Sequence, residues 1–141
     1  MNKILPLFFL IVSCGIKKDV VDTSFSVIYS SAIGGDEKPG YLLIQDNEAY
    51  IQFIDSLKLE ESQYANFLKV DFKNKNVLVL YQGQKNYGGY SIEIDSIYNI
   101  DDTIIVKKKE TGPKKGEMAT AVITTPYYIA LIPKGNKLKV E

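Results

Sequence analysis

The sequence predicts a mainly β domain, antiparallel and either sandwich-like or barrel-like, with one packed helix. Three observations carry that prediction. Residues 90–95 alternate, with Tyr90, Ile92 and Ile94 on one side and Ser91, Glu93 and Asp95 on the other, the period-two pattern of a strand with one wet face. Residues 76–81, Asn-Val-Leu-Val-Leu-Tyr, are apolar almost throughout, as in a central strand covered on both faces. Only one stretch has a helical stripe: Tyr50, Phe53, Ile54 and Leu57 recur at three- and four-residue spacing, with Gln52, Asp55, Ser56 and Lys58 turned away from it.

Taken in order, the chain begins with Lys3, a ten-residue apolar run over 4–13 and then Cys14, followed by Gly15. The run is too short to span a hydrocarbon core of about 30 Å as a helix but suits the apolar part of an export signal. The single cysteine, after the small Ser13, stands where a bacterial lipoprotein signal needs its lipid acceptor. Ile11 and Val12 replace the more usual leucine and small residue, so the match is to a relaxed form of that signal. The expected organisation is a signal over 1–13, a lipidated Cys14 with a polar tether over 14–24, and one domain over 25–141. Lys17 and Lys18 in the tether read as ordinary solvated linker residues, placed where they also meet anionic headgroups. The protein is thus expected in the bacterial cell envelope, periplasmic or on the outer surface, held to a membrane through lipid on Cys14. Stable anchoring of that kind takes more than one acyl chain.

Residues 25–29 alternate Phe25, Val27 and Tyr29 with serine and isoleucine, giving a first edge strand, and the glycine- and proline-bearing stretch 34–40 gives a loop. A short strand over 41–44 leads to Asp46, an N-cap for the striped helix, with Glu48 in its first turn. Residues 60–66 offer a further helical turn. After the central strand and the alternating strand, 99–103 is a turn, and Ile104, Ile105 and Val106 open a strand ending in Lys107, Lys108 and Lys109, charges that suit an exposed edge. Residues 112–116 form a loop. Residues 119–132 read as a long β segment interrupted at Pro126, which belongs at an edge, a bulge or a bend between sheets, and 138–140 finish the body.

Composition narrows the chemistry. The 141 residues hold 17 basic and 17 acidic side chains with no net charge, and every basic residue is a lysine. With no field for a polyanion and no arginine for bidentate base or phosphate contacts, nucleic acid is not an expected partner. There is no histidine, so the commonest general base and nitrogen metal ligand are missing, and lipidation of Cys14 removes the only thiol. No metal, cofactor or catalytic residue is expected. Residues 83–88 have the glycine spacing of a phosphate loop, but Gly89 and Tyr90 stand where its lysine and hydroxyl residue belong, and strand periodicity follows where a helix must open. The pairs Glu60-Glu61 and Asp101-Asp102 lie in turns and read as solvated. A serine activated by an unspecified lysine, Ser91 for example, is the nucleophile left for a rival reading, a small hydrolase or a ligand binder with a pocket between sheet and helix.

Tyrosines gather near the glycines and the proline: Tyr81, Tyr87 and Tyr90, then Tyr127 and Tyr128. Tyrosine offers a large, stiff, amphipathic contact area, and loops at one end of a β scaffold present it well. Tyr81, Tyr90 and one of Tyr127 or Tyr128 read first as half-buried core residues, whereas the loop residue Tyr87 reads equally as either. The expected partner-binding set is Tyr87, Gly88, Gly89, Tyr90, Pro126 and Tyr127, with Gly88 and Gly89 both expected at positive φ.

Val70-Asp71-Phe72, Gly83 with residues 88–94, Gly112-Pro113 with Gly116, and Thr125-Pro126-Tyr127 occur in an order that resembles the C-terminal domain of the PrcB family, a subunit of a protease complex. The resemblance runs from Leu42 to Pro133. It implies a non-enzymatic accessory role: a lipid-anchored protein that associates with an exported, subtilisin-like protease, or with another exported protein, and supports its stability or maturation. The glycine-aromatic loop is also loosely similar to that of chagasin-type protease inhibitors, although their tryptophan-bearing and arginine-proline motifs have no counterpart in a chain without tryptophan or arginine. A purely structural envelope component is a third reading.

Overall fold

The computed structural model of the protein describes residues 23–141. The signal over 1–13, Cys14 and all but the last two residues of the tether lie outside the described residues.

Seven strands and two helices follow in the order β1 (Ser26–Ser31), β2 (Gly40–Ile44), α1 (Asn47–Ser56), α2 (Glu61–Tyr64), β3 (Lys75–Tyr81), β4 (Ser91–Ile100), β5 (Thr103–Thr111), β6 (Tyr127–Pro133) and β7 (Lys137–Val140). The first sheet is antiparallel with order β1-β6-β3-β2, and the second has order β4-β5-β7. The two pack face to face as a sandwich that stays open, with β1, β2, β4 and β7 each paired on one side only, so the barrel-like alternative is not what forms.

The sequence explains the layers. β3 is apolar in succession because both of its faces are covered. Leu78 and Leu80, with Tyr128, Ala130 and Ile132 of β6, meet Ile92, Ile94, Ile97, Ile104 and Val106 of the second sheet. On the other side Val77, Val79 and Ile129 pack under Tyr50, Phe53, Ile54 and Leu57 of the striped helix. The expected helix therefore forms where the stripe places it. Asp46 is its N-cap, accepting from the Ala49 amide at 2.8 Å, and α2 supplies the further turn with a capping box between Glu60 and Gln63.

Two expectations change. Residues 119–123 form no strand; among the described residues the next bridge is the isolated one between Thr124 and Lys85, and regular β structure resumes at Tyr127. Pro126 is at neither an edge nor a sheet-switching bend. It stands just ahead of β6, the strand between β1 and β3, where a residue without an amide hydrogen breaks no ladder, and its carbonyl accepts from the Gln82 amide at 3.0 Å. The lysine run does meet an open edge: β7 pairs with β5 only from Thr103 to Val106, so beyond the Lys108 amide bond to the Glu141 carbonyl at 2.8 Å, Lys107, Lys108 and Lys109 have β4 alone beside them. There Lys109 pairs with Glu93 across the strands at 3.5 Å and Lys108 with Glu110 at 3.1 Å.

Two local devices set the second sheet. A register shift between Ile94 and Ser96 inserts one extra residue, which changes the phase so that Ile97, three residues after Ile94, again faces inward. Asp101 and Asp102, at φ 49° and 61°, make the tight turn between β4 and β5 in the sense that matches strand twist. β7 then runs parallel to β5, pairing Thr103 with Lys137 through Val106 with Val140; this is the only parallel pair among the described strands.

Register fixes which end is which. Ser26, where β1 begins, pairs with Leu131, and Lys75 pairs with Pro133; at the other end Ser31 and Tyr81 both pair with Tyr127. The chain thus enters at one end of the sandwich, and the segments 32–39, 82–90 and 112–125 emerge together at the opposite end. No helix among the described residues is long and apolar enough to cross a membrane.

Candidate functional site

The loops at that far end are tied to one another through main-chain atoms. The Gly35 amide donates to the Thr125 carbonyl at 3.0 Å and the Gln84 amide to the Glu37 carbonyl at 2.9 Å. Lys85 and Thr124 exchange both of their amide bonds, at 2.8 and 2.9 Å, and the Gly88 amide donates to the Thr120 carbonyl at 2.9 Å. Side chains complete the frame. The Thr124 hydroxyl donates to the Tyr87 carbonyl at 3.0 Å, and the Gly34 amide donates to the Thr125 hydroxyl at 3.0 Å. Gln82 joins the two sheets, since its Nε2 reaches the Thr111 carbonyl at the end of β5 at 3.1 Å.

The six expected site residues fall into two groups. Tyr87 is 51 % exposed at the tip of its loop. Gly88 and Gly89 lie beside it and, with Gly112, Pro113, Met118 and Thr120, line a cleft of about 430 Å³. Tyr90 is half-buried: it sits just ahead of β4, and its ring lies against Gly112 so closely that a Cβ there would stand 2.7 Å from the ring. The Lys85 ammonium lies 5.4 Å from the centre of the same ring, within cation-π range. Pro126 and Tyr127 are different. Both are buried, Tyr127 at 2 % exposure between the helix layer and the first sheet, and they support the rim from below without offering it surface. Burial, with Tyr29 and Tyr81 nearby, pushes the Tyr127 hydroxyl up to about 12.

The positive-φ expectation holds for Gly89, at φ +88°, and not for Gly88. Sequence reasoning also missed part of the rim. Ile33, Val122 and Ile123 are 66 %, 42 % and 63 % exposed, and Met118 is 99 % exposed. Val122 and Ile123 fall in the stretch whose apolar residues read as a β segment, whereas here they are exposed loop surface together with Ile33 and Met118. Gln82 and Thr124, buried polar residues at 5 % and 4 % exposure, carried no motif; their signal is visible only in three dimensions.

Ser91 is exposed at the start of β4, paired in register with Thr111, and no hydrogen bond from a lysine reaches it among the described residues. No group of three acidic, histidine or cysteine side chains among the described residues is placed to hold a metal ion. Beside the first turn of α1 an open hollow of about 640 Å³ is floored by Val70 and Phe72; it is a shallow surface feature next to the helix.

A β-sandwich with tied, aromatic-bearing loops at one end is a scaffold that presents loops. Residues 76–133 match the family described as PrcB C-terminal, so the resemblance seen in the sequence holds for that segment, which covers less than half of the chain. It runs from β3 to the end of β6 and contains both the 82–90 and the 112–125 loops. No curated protein and no solved structure matches the chain.

Proposed function

We propose that the protein is a non-enzymatic accessory subunit of the bacterial cell envelope, anchored through lipid on Cys14, whose loop rim binds an exported protease or another exported protein. The PrcB family is one of protease-complex subunits, and the matched segment carries the rim. The observation that carries the reading is the polarity of the body. β1 begins at the end defined by Leu131 and Pro133, whereas Tyr87, Met118, Val122 and Ile123 lie at the end defined by Tyr127. A tether leaving from Ser24 would hold the rim away from the membrane and toward exported proteins. Direct contact falls to Tyr87, the edges of the Gly88-Gly89 cleft and Tyr90, while Pro126 and Tyr127 position them.

The test places a photo-crosslinking residue at position 87 in the envelope and identifies what it captures. Covalent capture of an exported protease or another exported protein supports the reading, and Tyr87→Ala should then weaken association by about 1–2 kcal/mol, the cost of removing an interface tyrosine anchor, with unchanged thermal stability. Absence of any captured protein, with the chain folded and exported, removes the proposal. Partner binding that survives Tyr87→Ala, Met118→Ser and Ile123→Ser together would move the interface elsewhere.

A further inference from the structure

We propose that residues 114–123 form a site of proteolytic processing, and that the cut protein persists as a two-chain body with both sheets intact. A protease binds its substrate as an extended segment whose amides and carbonyls are free to pair with the enzyme, so the requirement is an accessible stretch of backbone that can be pulled into a cleft. Every residue from Lys114 to Ile123 is exposed, and Met118 projects at 99 % exposure. A short turn closes the start of the segment, where the Glu117 amide donates to the Lys114 carbonyl and the Lys114 amide to the Glu117 carboxylate, both at 2.9 Å. From Met118 to Ile123 the only main-chain bonds among the described residues are those accepted by the Thr120 carbonyl, from the Gly88 and Val122 amides at 2.9 Å.

Two other connections are better held. Residues 32–39 are tied through Gly34, Gly35 and Glu37 to the neighbouring loops, and the β4–β5 turn is only Asp101 and Asp102 long. Lys114 and Lys115 suit an endoprotease that recognises a cation, and Met118 suits one whose cleft takes a long unbranched apolar side chain. In either case water adds across one peptide C–N bond, leaving a carboxylate on the preceding fragment and an ammonium group on the following one.

Topology explains why the cut would not release the fragments. The piece after the cut supplies β6, which pairs along its length with β3 and β1, and β7, which pairs with β5. Tyr127, Tyr128, Ile129, Ala130 and Ile132 of that piece are all buried, so separating it would expose the centre of both apolar clusters. The inference rests on accessible backbone and pairing and does not depend on the partner reading.

The experiment treats the purified full-length chain with trypsin, and separately with subtilisin, at low protease ratio, and maps the fragments by mass spectrometry. Within residues 23–141 the first cut should fall between Lys114 and Ile123. The nicked protein should elute with the intact protein in size-exclusion chromatography and divide only in concentrated urea. Lys114→Gln with Lys115→Gln should slow the tryptic cut at least tenfold while subtilisin still nicks the segment. A first cut within residues 32–39, 57–69 or 134–136, or loss of the C-terminal fragment without denaturant, would overturn the proposal.

Discussion

At Gly89 the backbone sits at φ +88°, while at its neighbour Gly88 it does not enter the left-handed region. A Cβ at Gly89 would also stand 3.2 Å from Pro113, whereas at Gly88 it would meet only ordinary contacts at 3.7 Å and beyond. Gly89→Ala should therefore destabilise the protein by about 1–2 kcal/mol, the cost of a left-handed non-glycine residue, and Gly88→Ala should stay within about 0.5 kcal/mol, as ordinary surface changes do. Urea denaturation of the two variants checks the contrast, and equal losses would show that the loop's φ angles are not the determinant. Tyr50 makes a second residue-scale case. Its ring is 3 % exposed and packs edge-on against Phe72 at 5.9 Å, yet its hydroxyl is buried with no hydrogen-bond partner among the described residues. Burying a hydroxyl unpaired costs about 1–3 kcal/mol, so Tyr50→Phe should leave stability unchanged or raise it by about 1 kcal/mol. A clear loss in thermal denaturation would mean that the hydroxyl has a partner in solution.

The elements read most readily from the sequence were those whose side chains face one layer consistently. The stripe from Tyr50 to Leu57 and the continuous run of β3 both record burial directly, and the step from Ile94 to Ile97 is the trace of a bulge, visible once β4 is known to be one strand. What periodicity does not encode is whether an apolar extended segment has a partner. Ala119, Val122 and Ile123 have the residue types of a strand but join no ladder, because among the described residues no strand lies beside them to complete one. The same limit hid the site: Tyr127 and Pro126 stand next to the rim in sequence and beneath it in space. Caps are local and so more legible. Asp46 accepts from the Ala49 amide at 2.8 Å, and Asp46→Ala should cost about 1 kcal/mol, with Asp46→Asn or Asp46→Ser restoring most of it. Stability measured by urea titration decides this, and an Asp46→Ala variant as stable as the parent would leave α1 held by its apolar stripe alone.

At the scale of the whole molecule, the first sheet is the element common to both cores, with helices on one face and the second sheet on the other. Tyrosines lie within that shared sheet. Tyr127, Tyr128 and Tyr81 all have hydroxyls pushed up from their usual value by burial, Tyr81 further by Asp36 and Tyr128 further by Glu93. For Tyr127 the folded value of about 12 stands above the unfolded value of 10.0. The folded state thus prefers the neutral phenol. The stability this brings is fully present below pH 10 and is lost as pH rises from there through 12, because the unfolded chain gives up its proton first. With each unit equivalent to about 1.4 kcal/mol, Tyr127 alone should account for a loss on the order of 2 kcal/mol across that window. The chain should accordingly unfold in alkali as one cooperative body, near-UV and far-UV circular dichroism falling together, since a charge at Tyr127 strains the sheet on which both cores rest. Tyr127→Phe removes the ionisable group and should flatten stability between pH 10 and 12 relative to the parent. A variant whose urea midpoint falls with pH as steeply as the parent's would assign the alkaline sensitivity to the other tyrosines, and separate transitions for the two signals would show that the layers do not unfold as a unit.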